Sequence, residues 1–410
     1  MNDTKFHWMV LPIALASLLG VPTAMADVVT DWNVTANDIV IAAGLPPPPA
    51  NRTLAMVQTA VYEAANAITK RYPADQVTLN ASPDASVAAA VAAANRVVLS
   101  HLAPSQQAAV DKAYATALAA IADGPAKTAG IAVGEQAAAA VFAWRADDNA
   151  GMAERYRPTT TAGAYVPTTI PAVPQWVQRK PWVMTACDQF RPGPPPALTS
   201  ETWARDYNEI KTIGAKNSTT RTAAQTETAR FWETNGPVIY YPVVRSVANM
   251  PGRDVPQNAR LLALTAEAID DALIAVFDAK YQYNFWRPIT AIRNGDMDGN
   301  DATERDAGWL PFVEAPLHPE YPCAHCIVSG AVAGVLMAEI GAGSMPKLTT
   351  TSPTAPGVVH SWTSIDDFVL EVANGRIYEG VHYRNSAEVG TAMGKKIGAL
   401  TAANALRPAN

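Results

Sequence analysis

The stretch that decides the fold runs from residue 256 to residue 288 and reads PQNARLLALTAEAIDDALIAVFDAKYQYNFWRP. Its apolar side chains recur every three or four residues, which is the spacing of one helix face. Pro256 stands where the first turn of a helix tolerates proline. We therefore predict one long helix whose apolar stripe packs on other helices, and which ends close to Lys280 and Arg287. The stripe consists of Leu261, Leu264, Ala268, Ala272 and Val276.

Similar stripes lie on both sides of this segment, and an alternating strand pattern is almost absent. Alanine-rich stretches at 105–122 and 126–146 are typical of helices. Residues 147–200 differ, since they are rich in proline and lack periodicity, and we expect a long crossover there. The predicted fold class is all-α, with two helical bundles. The expected regions are an N-terminal helical region with the crossover at 27–199 and a C-terminal catalytic domain at 200–410.

The N-terminus has the pattern of a secretory signal peptide. Residues 1–26 contain Lys5, an apolar run from Met9 to Val21 and the cleavage pattern Ala24-Met25-Ala26. The run is shorter than the roughly 20 residues of a membrane span, which disfavours an uncleaved anchor. The prediction is a mature chain from Asp27 with no stable membrane anchor, in the periplasm or secreted.

Composition narrows the classes of function. The 410 residues are 49% hydrophobic and 17% charged, which excludes disorder over most of the length. The formal net charge of −6 without a dominant basic patch argues against nucleic acid as a partner. Three cysteines are too few for a disulfide framework.

The residues that carry chemistry are concentrated between positions 280 and 386. Two guanidinium groups and one lysine can hold a tetrahedral oxyanion by paired hydrogen bonds and charge. The expected helix start after Pro322 adds free backbone N–H groups. Two histidines then suit a nucleophile or ligand and a general acid/base. The pattern predicts a site for phosphate or a phosphate-like metal oxide, built from Lys280, Arg287, His325, Arg376 and His382.

Three motifs in order resemble a known superfamily. They are Lys280-x6-Arg287-Pro288, Pro322-Cys323-Ala324-His325 and Arg376-x5-His382. Together they resemble the signature of the vanadium-dependent haloperoxidase and type-2 phosphatidic acid phosphatase superfamily. Phe285-Trp286-Arg287-Pro288 and His318-Pro-Glu-Tyr-Pro322 are similar to the haloperoxidase branch in particular.

The resemblance implies a role for each matching residue. Lys280, Arg287 and Arg376 would neutralise one vanadate per chain, and Cys323 and Ala324 would lie beside it. His382 would bind the vanadium, or become phosphorylated in a phosphatase, and His325 would be the acid/base group.

The resemblance also implies the reaction. Halide would be oxidised with hydrogen peroxide, and the product would react with a small organic acceptor. His318 falls at the position near the halide, which resembles bromide- or iodide-oxidising members more than chloride-oxidising ones. The oligomeric state is left open.

Two positions depart from the family pattern. Cys323 replaces the usual serine and forms Cys-x-x-Cys with Cys326. Two small buried residues are the favoured interpretation over a redox pair. Ser386 stands where the family usually has an aspartate that orients the last histidine, so His382 lacks an obvious charged orienter.

Alternatives remain at two levels. Asn294-x-Asp296-x-Asp298-Gly299 resembles half of a calcium loop, but Arg305 occupies the twelfth position, so a solvated acidic loop is favoured. For function, the same pocket suits an acid phosphatase with His382 as nucleophile, or a non-catalytic descendant that binds an oxyanion.

Overall fold

The computed structural model describes residues 27–74, 76–234 and 236–407. The predicted signal peptide lies outside the described residues. The chain is mostly helical, with 58% of residues in helix, which confirms the all-α prediction. The predicted boundary between an N-terminal region ending at residue 199 and a C-terminal domain beginning at residue 200 stays a prediction.

Five helices form the N-terminal half. They are separated by short turns, except for a longer irregular segment between the second and the third. The helices are α1 (Val28–Ala42), α2 (Pro47–Thr69), α3 (Val87–Leu102), α4 (Gln107–Ala119) and α5 (Pro125–Trp144).

The C-terminal half contains eight helices and one antiparallel hairpin. The helices are α6 (Glu201–Ile213), α7 (Ala223–Trp232), α8 (Pro237–Ala248), α9 (Val255–Tyr283), α10 (Pro288–Arg293), α11 (Ala324–Ile340), α12 (Ile365–Tyr378) and α13 (Arg384–Asn404). The strands are β1 (Leu348–Ser352) and β2 (Ala355–Trp362). The hairpin was not predicted, because two short strands give little alternation to detect.

The long helix predicted from residues 256–288 is α9, and it lies at the centre of the molecule. The Asp254 side chain accepts from the Gln257 N–H in a capping box that begins the helix. Every residue from Asn258 to Lys280 is buried, because α9 packs on α2 of the N-terminal half and on α11 and α13 of the C-terminal half. Asn284 ends the helix in the left-handed region, with φ of 48°.

Helices α11 and α13 approach each other closely. A Cβ on Gly394 would lie 2.0 Å from the Ile327 carbonyl oxygen, and one on Gly330 would lie 2.4 Å from the Thr391 oxygen. Only glycine fits such a backbone contact. The close packing places the start of α11, which carries His325, beside the start of α13, which follows His382.

The crossover is irregular, as predicted, and is anchored to the centre of α9. Residues 145–200 contain one short 3₁₀ helix, Pro174–Gln178. The Asp271 carboxylate accepts from the backbone N–H groups of Trp182, Val183 and Met184 at 2.6–3.0 Å. The buried Asp270 carboxylate pairs with Arg179 at 2.9 Å. Two carboxylates on one helix thus fix a segment that has little regular secondary structure of its own.

Membrane-spanning potential is confined to one bent pair of helices. Within residues 27–74, 76–234 and 236–407, no single helix is both long and apolar enough to cross a bilayer. The segments Val87–Leu102 and Pro104–Ala119 satisfy length and composition together, but they meet at 119°.

Candidate active site

The ends of several elements bring the predicted site residues together. Lys280 lies in the last turn of α9, and Arg287 directly precedes α10. His325 lies in the first turn of α11, Arg376 in the last turn of α12, and His382 just before α13. The three cations and His382 are each at most 2% exposed, and His325 is 8% exposed. The structure therefore makes one buried site from residues spread over about a quarter of the chain.

The imidazole of His382 is fixed on both sides. Its Nε2 lies 3.2 Å from Nη1 of Arg287, and a guanidinium can only donate, so Nε2 accepts. A neutral imidazole then carries its proton on Nδ1, which lies 2.7 Å from Oε1 of Glu320. The expectation that no charged residue orients His382 is wrong, because the carboxylate of Glu320 contacts its Nδ1. Motif spacing could not show this, since the two residues are 62 positions apart.

The segment 318–320 holds the two cations that flank His382. Arg287 donates from Nε to the His318 carbonyl oxygen at 2.9 Å, and its Nη2 lies 2.9 Å from Nδ1 of His318. Lys280 Nζ donates to the carbonyl oxygens of Pro319 at 2.9 Å and Glu320 at 2.8 Å. An ammonium has three N–H groups, so one is left for a ligand.

Arg376 and His325 form the other side of the site. Arg376 Nη1 donates to the Trp232 carbonyl oxygen at 2.8 Å and pairs with Glu379 at 2.5 Å. His325 Nε2 lies 3.1 Å from the Thr234 carbonyl oxygen, which accepts, and 3.3 Å from Arg376 Nη1, which donates. The Thr234 carbonyl oxygen suits the protonated form of Nε2, and the Arg376 guanidinium suits the deprotonated form. The nitrogen can therefore both release and accept a proton, as an acid/base group requires.

Burial sets the charge of the site. Desolvation lowers the pKa of Lys280, and Arg287 lowers it further. Desolvation also lowers the pKa values of His325 and His382, with a further contribution from the nearby arginines, which favours neutral imidazoles. It raises the pKa of Glu320 to about 7, although Lys280 and Arg287 oppose this.

Glu379 responds in the same way. Desolvation raises its pKa to about 8, against the influence of Arg376. Three buried basic side chains thus face the carboxyl groups of Glu320 and Glu379, whose ionised forms are disfavoured by burial. Burial also disfavours the charged form of Lys280, and an anion bound beside it would favour that form.

The turn before α11 differs from the prediction. Cys323 and Cys326 are joined by a disulfide, so the interpretation as two unpaired small residues is wrong. A disulfide fits the turn because Cys323 precedes the helix and Cys326 lies in its first turn, where Cys323 Sγ also accepts from the Cys326 N–H at 3.2 Å. A paired sulfur has no hydrogen to donate, in contrast to the usual serine. The N–H of Ala324, the first residue of α11, is not used within the helix.

A cavity of about 240 Å³ opens onto this site. His318, His325 and His382 lie in its wall, and the remaining wall is mostly apolar. Both halves of the chain and the crossover contribute to it, through Pro47, Val173, Leu273, Phe277, Leu317 and Val328. His318 is therefore on the cavity wall, and its role as a halide site stays a prediction.

The acidic loop at 294–299 is organised by hydrogen bonds within the fold. The Asp298 carboxylate accepts from Trp203 Nε1 at 2.8 Å, Thr303 Oγ1 at 2.7 Å and the Asn300 N–H at 2.9 Å. In the part of the chain that the structure describes, no group of three or more His, Cys, Asp or Glu side chains is arranged for a metal ion. A structural loop is thus favoured over a calcium site.

The donors that remain fit a vanadate or phosphate group. Arg376 Nε is buried and has no hydrogen-bond partner within the described residues. Lys280 keeps one N–H, and Ala324 keeps its backbone N–H. These three groups offer hydrogen-bond donors to an oxyanion, and Nε2 of His382 offers a nitrogen that would coordinate its metal in place of the contact with Arg287.

Comparisons with known proteins agree with this geometry. The family model of the VCPO second helical-bundle domain matches residues 260–410. A vanadium chloroperoxidase of Curvularia inaequalis is 24% identical over 269 residues, a match that covers 50% of this chain and 44% of that protein. The chain thus spans less than half the length of that relative.

Two solved structures resemble most of this chain in fold. The first bacterial vanadium-dependent iodoperoxidase has a TM-score of 0.78 at 23% identity, covering 91% of this chain and 95% of that one. An apo-type bacterial vanadium-dependent chloroperoxidase has a TM-score of 0.70 at 17% identity, covering 86% and 91%. The molecule is a helical-bundle protein of the vanadium haloperoxidase fold. The resemblance to vanadium haloperoxidases is confirmed at the level of the fold, and residues 260–410 match the model of the second helical-bundle domain.

Proposed function

We propose that the protein is a vanadate-dependent haloperoxidase that oxidises halide with hydrogen peroxide. The observation that carries the proposal is the state of His382. Its Nε2 carries the lone pair of the ring and accepts from Arg287 at 3.2 Å, while Nδ1 donates to Glu320. A histidine nitrogen of this kind suits a metal ligand, because a carboxylate partner on the other nitrogen raises its basicity.

The residues that would hold vanadate follow from the donor inventory. His382 Nε2 would bind the vanadium, and Lys280, Arg287 and Arg376 would donate to its oxygens and balance its charge. Ala324 would add its backbone N–H at the start of α11. When bound, vanadate supplies a Lewis acid that activates peroxide toward halide without changing its own redox state.

His325 would handle the protons. Its neutral form, favoured by burial, can accept a proton from entering hydrogen peroxide. It can return that proton to the oxygen that leaves as water, so that peroxide, halide and one proton give hypohalous acid and water. The contact between Nε2 and the Thr234 carbonyl oxygen stabilises the protonated state.

The cavity supports bromide or iodide as the substrate. His318 and the apolar wall adjoin the site. Transfer from water into such an apolar cavity costs a large polarisable halide less hydration free energy than it costs chloride. The wall also suits a small uncharged organic acceptor, since most of its lining is hydrocarbon.

The decisive experiment is an assay of peroxide consumption with iodide, bromide and chloride, on protein without vanadate and on protein titrated with it. Activity should rise with bound vanadate to a plateau near one per chain. His101→Ala should behave as wild type, because His101 lies on α3, far along the chain from the site motifs. Vanadate-loaded protein that consumes no peroxide with any of the three halides would contradict the proposal.

A phosphatase remains the second candidate, because His382 is also placed as a nucleophile with Glu320 behind it. Hydrolysis of a phosphomonoester that vanadate inhibits, with no halide oxidation, would favour it.

We further propose a periplasmic or secreted location from the pattern of residues 1–26. Detection of mature protein beginning near Asp27 outside the cytoplasm tests this.

A further inference from the structure

Glu320 contacts His382 through its side chain and Lys280 through its backbone. Its Oε1 lies 2.7 Å from His382 Nδ1 and 3.1 Å from the backbone N–H of Tyr383. Both contacts go to one carboxylate oxygen, so the carboxylate holds the imidazole and the adjacent backbone together. Glu320 is 0% exposed, so water does not compete for these hydrogen bonds.

The backbone of Glu320 is fixed as firmly as its side chain. Its N–H donates to the Phe285 carbonyl oxygen at 2.9 Å, and its own carbonyl oxygen accepts from Lys280 Nζ at 2.8 Å. Lys280 and Phe285 both lie in the segment that leads to Arg287. The carboxylate is therefore held in register with the cations that would meet an oxyanion.

Ser386 lies beside the same nitrogen of His382, in the first turn of α13. Its Oγ is 3.5 Å from His382 Nδ1, too far for a strong hydrogen bond. Its carbonyl oxygen accepts from the Cys323 N–H at 3.1 Å, so its backbone position is fixed. An aspartate at this position would carry its carboxylate into the neighbourhood of Nδ1.

We propose that Glu320 is the positioning residue of His382. It holds the proton on Nδ1 and aims the Nε2 lone pair at the oxyanion, and this role can be transferred to residue 386. The inference rests on the proposed function for its oxyanion, but its test is a binding measurement that does not depend on turnover.

Removal of the carboxylate should weaken oxyanion binding. In Glu320→Ala, His382 keeps Arg287 but loses its acceptor, and the ring can turn or change tautomer. Loss of such an outer partner typically costs 10- to 100-fold in metal affinity, and we expect a loss of that order. In Glu320→Gln the amide oxygen can still accept from Nδ1, so the loss should be smaller than in the alanine variant.

The transfer is tested with Glu320→Ala combined with Ser386→Asp. Dissociation constants for inorganic vanadate and for inorganic phosphate are measured by calorimetry on wild type, Glu320→Ala, Glu320→Gln and the double variant. Glu314→Ala serves as a control, because Glu314 is exposed in the same loop. Thermal unfolding is recorded for each variant, so that affinity is compared among folded proteins only.

The expected order of affinity is wild type, then Glu320→Gln and the double variant, then Glu320→Ala. If Glu320→Ala does not fold, the double variant must bind the oxyanion within about tenfold of wild type. Wild-type affinity in Glu320→Ala, no recovery in a folded double variant, or no oxyanion binding by wild type would each overturn the proposal. Tight vanadate binding without halide oxidation would contradict the haloperoxidase assignment alone.

Discussion

The guanidinium of Arg287 lies against the imidazole of His382, with 3.2 Å between Nη1 and Nε2. Because Arg287 can only donate, this contact determines which nitrogen of His382 carries the lone pair. The same guanidinium donates to the carbonyl oxygens of His318 and Val381. One side chain thus joins the first motif to the third and sets the chemical state of His382.

Replacement of Arg287 by lysine should weaken vanadate binding by about 10- to 100-fold. Lysine keeps the charge but cannot reproduce a planar fork with four partners, and each charged hydrogen bond contributes about 1.5–3 kcal/mol. Calorimetric titration with vanadate measures this. Arg96→Lys is the matched control, since Arg96 is partly exposed on α3 and pairs with Asp111 of α4. Equal affinities for wild type and Arg287→Lys would show that charge alone suffices.

Restoring a hydroxyl at position 323 should tighten the site. The disulfide leaves Cys323 Sγ with no hydrogen, whereas serine can donate to an oxyanion at the start of α11. One such hydrogen bond contributes about 1 kcal/mol, or roughly fivefold in affinity. Cys323→Ser with Cys326→Ala is compared with Cys323→Ala with Cys326→Ala by vanadate titration. The comparison removes the disulfide from both, so weaker or equal binding by the serine variant contradicts the expectation.

The contact between α11 and α13 should tolerate no side chain. Gly394→Ala would force the helices apart, since its Cβ would meet the Ile327 carbonyl oxygen at 2.0 Å. We expect a loss of about 1–3 kcal/mol in the free energy of unfolding, the usual cost of overpacking. Gly151→Ala is the control, because nothing lies within 4 Å of a Cβ there. Chemical denaturation of both variants measures the difference, and equal stabilities would mean that the backbones are not in contact.

A pair outside the site should make stability depend on pH. Burial alone would lower the pKa of His360, but its contact with Glu371, 2.5 Å from Nδ1 to Oε1, raises it above 6.5. The raised pKa stabilises the fold below the unfolded value and ceases to do so as pH rises through the folded value. The pKa of Glu371 is lowered, so its carboxylate is still charged near pH 5.5.

His360→Gln should therefore be less stable than wild type at pH 5.5, and this deficit should shrink by pH 9. Denaturation at the two pH values measures it. His101→Gln provides a histidine control on α3 without a carboxylate partner. A deficit that stays constant or grows toward pH 9 would mean that the protonated pair does not stabilise the fold.

Local pattern was enough to predict the helical fold and to select residues that the structure brings together, because each motif lies at the end of an element. Apolar spacing predicted α9, and Lys280 and Arg287 follow from its end. Pro322 indicated the start of α11. What could not be predicted depends on contacts between distant segments. Glu320 and His382 are 62 residues apart, and Asp271 anchors a crossover about 90 positions earlier.

The interpretation of the cysteines and of Ser386 failed for a related reason. Sequence shows that Cys323 and Cys326 are close but not whether their sulfurs face each other. It also shows that an aspartate is missing after His382 but not that a carboxylate arrives from residue 320. The hairpin at 348–362 was not predicted because two short strands give little alternation to detect.

The two site histidines have different proposed roles, since His382 would bind the vanadium and His325 would transfer protons. This difference gives the most direct test of the proposed function. Vanadate content and iodide oxidation are measured together on wild type, His382→Ala and His325→Ala. Loss of both in His382→Ala is expected, because its Nε2 would bind the vanadium. His325→Ala should retain vanadate but oxidise iodide about 10²- to 10⁴-fold more slowly, the usual contribution of a general acid/base. Tight vanadate binding with full iodide oxidation in His382→Ala would contradict the assignment of this site.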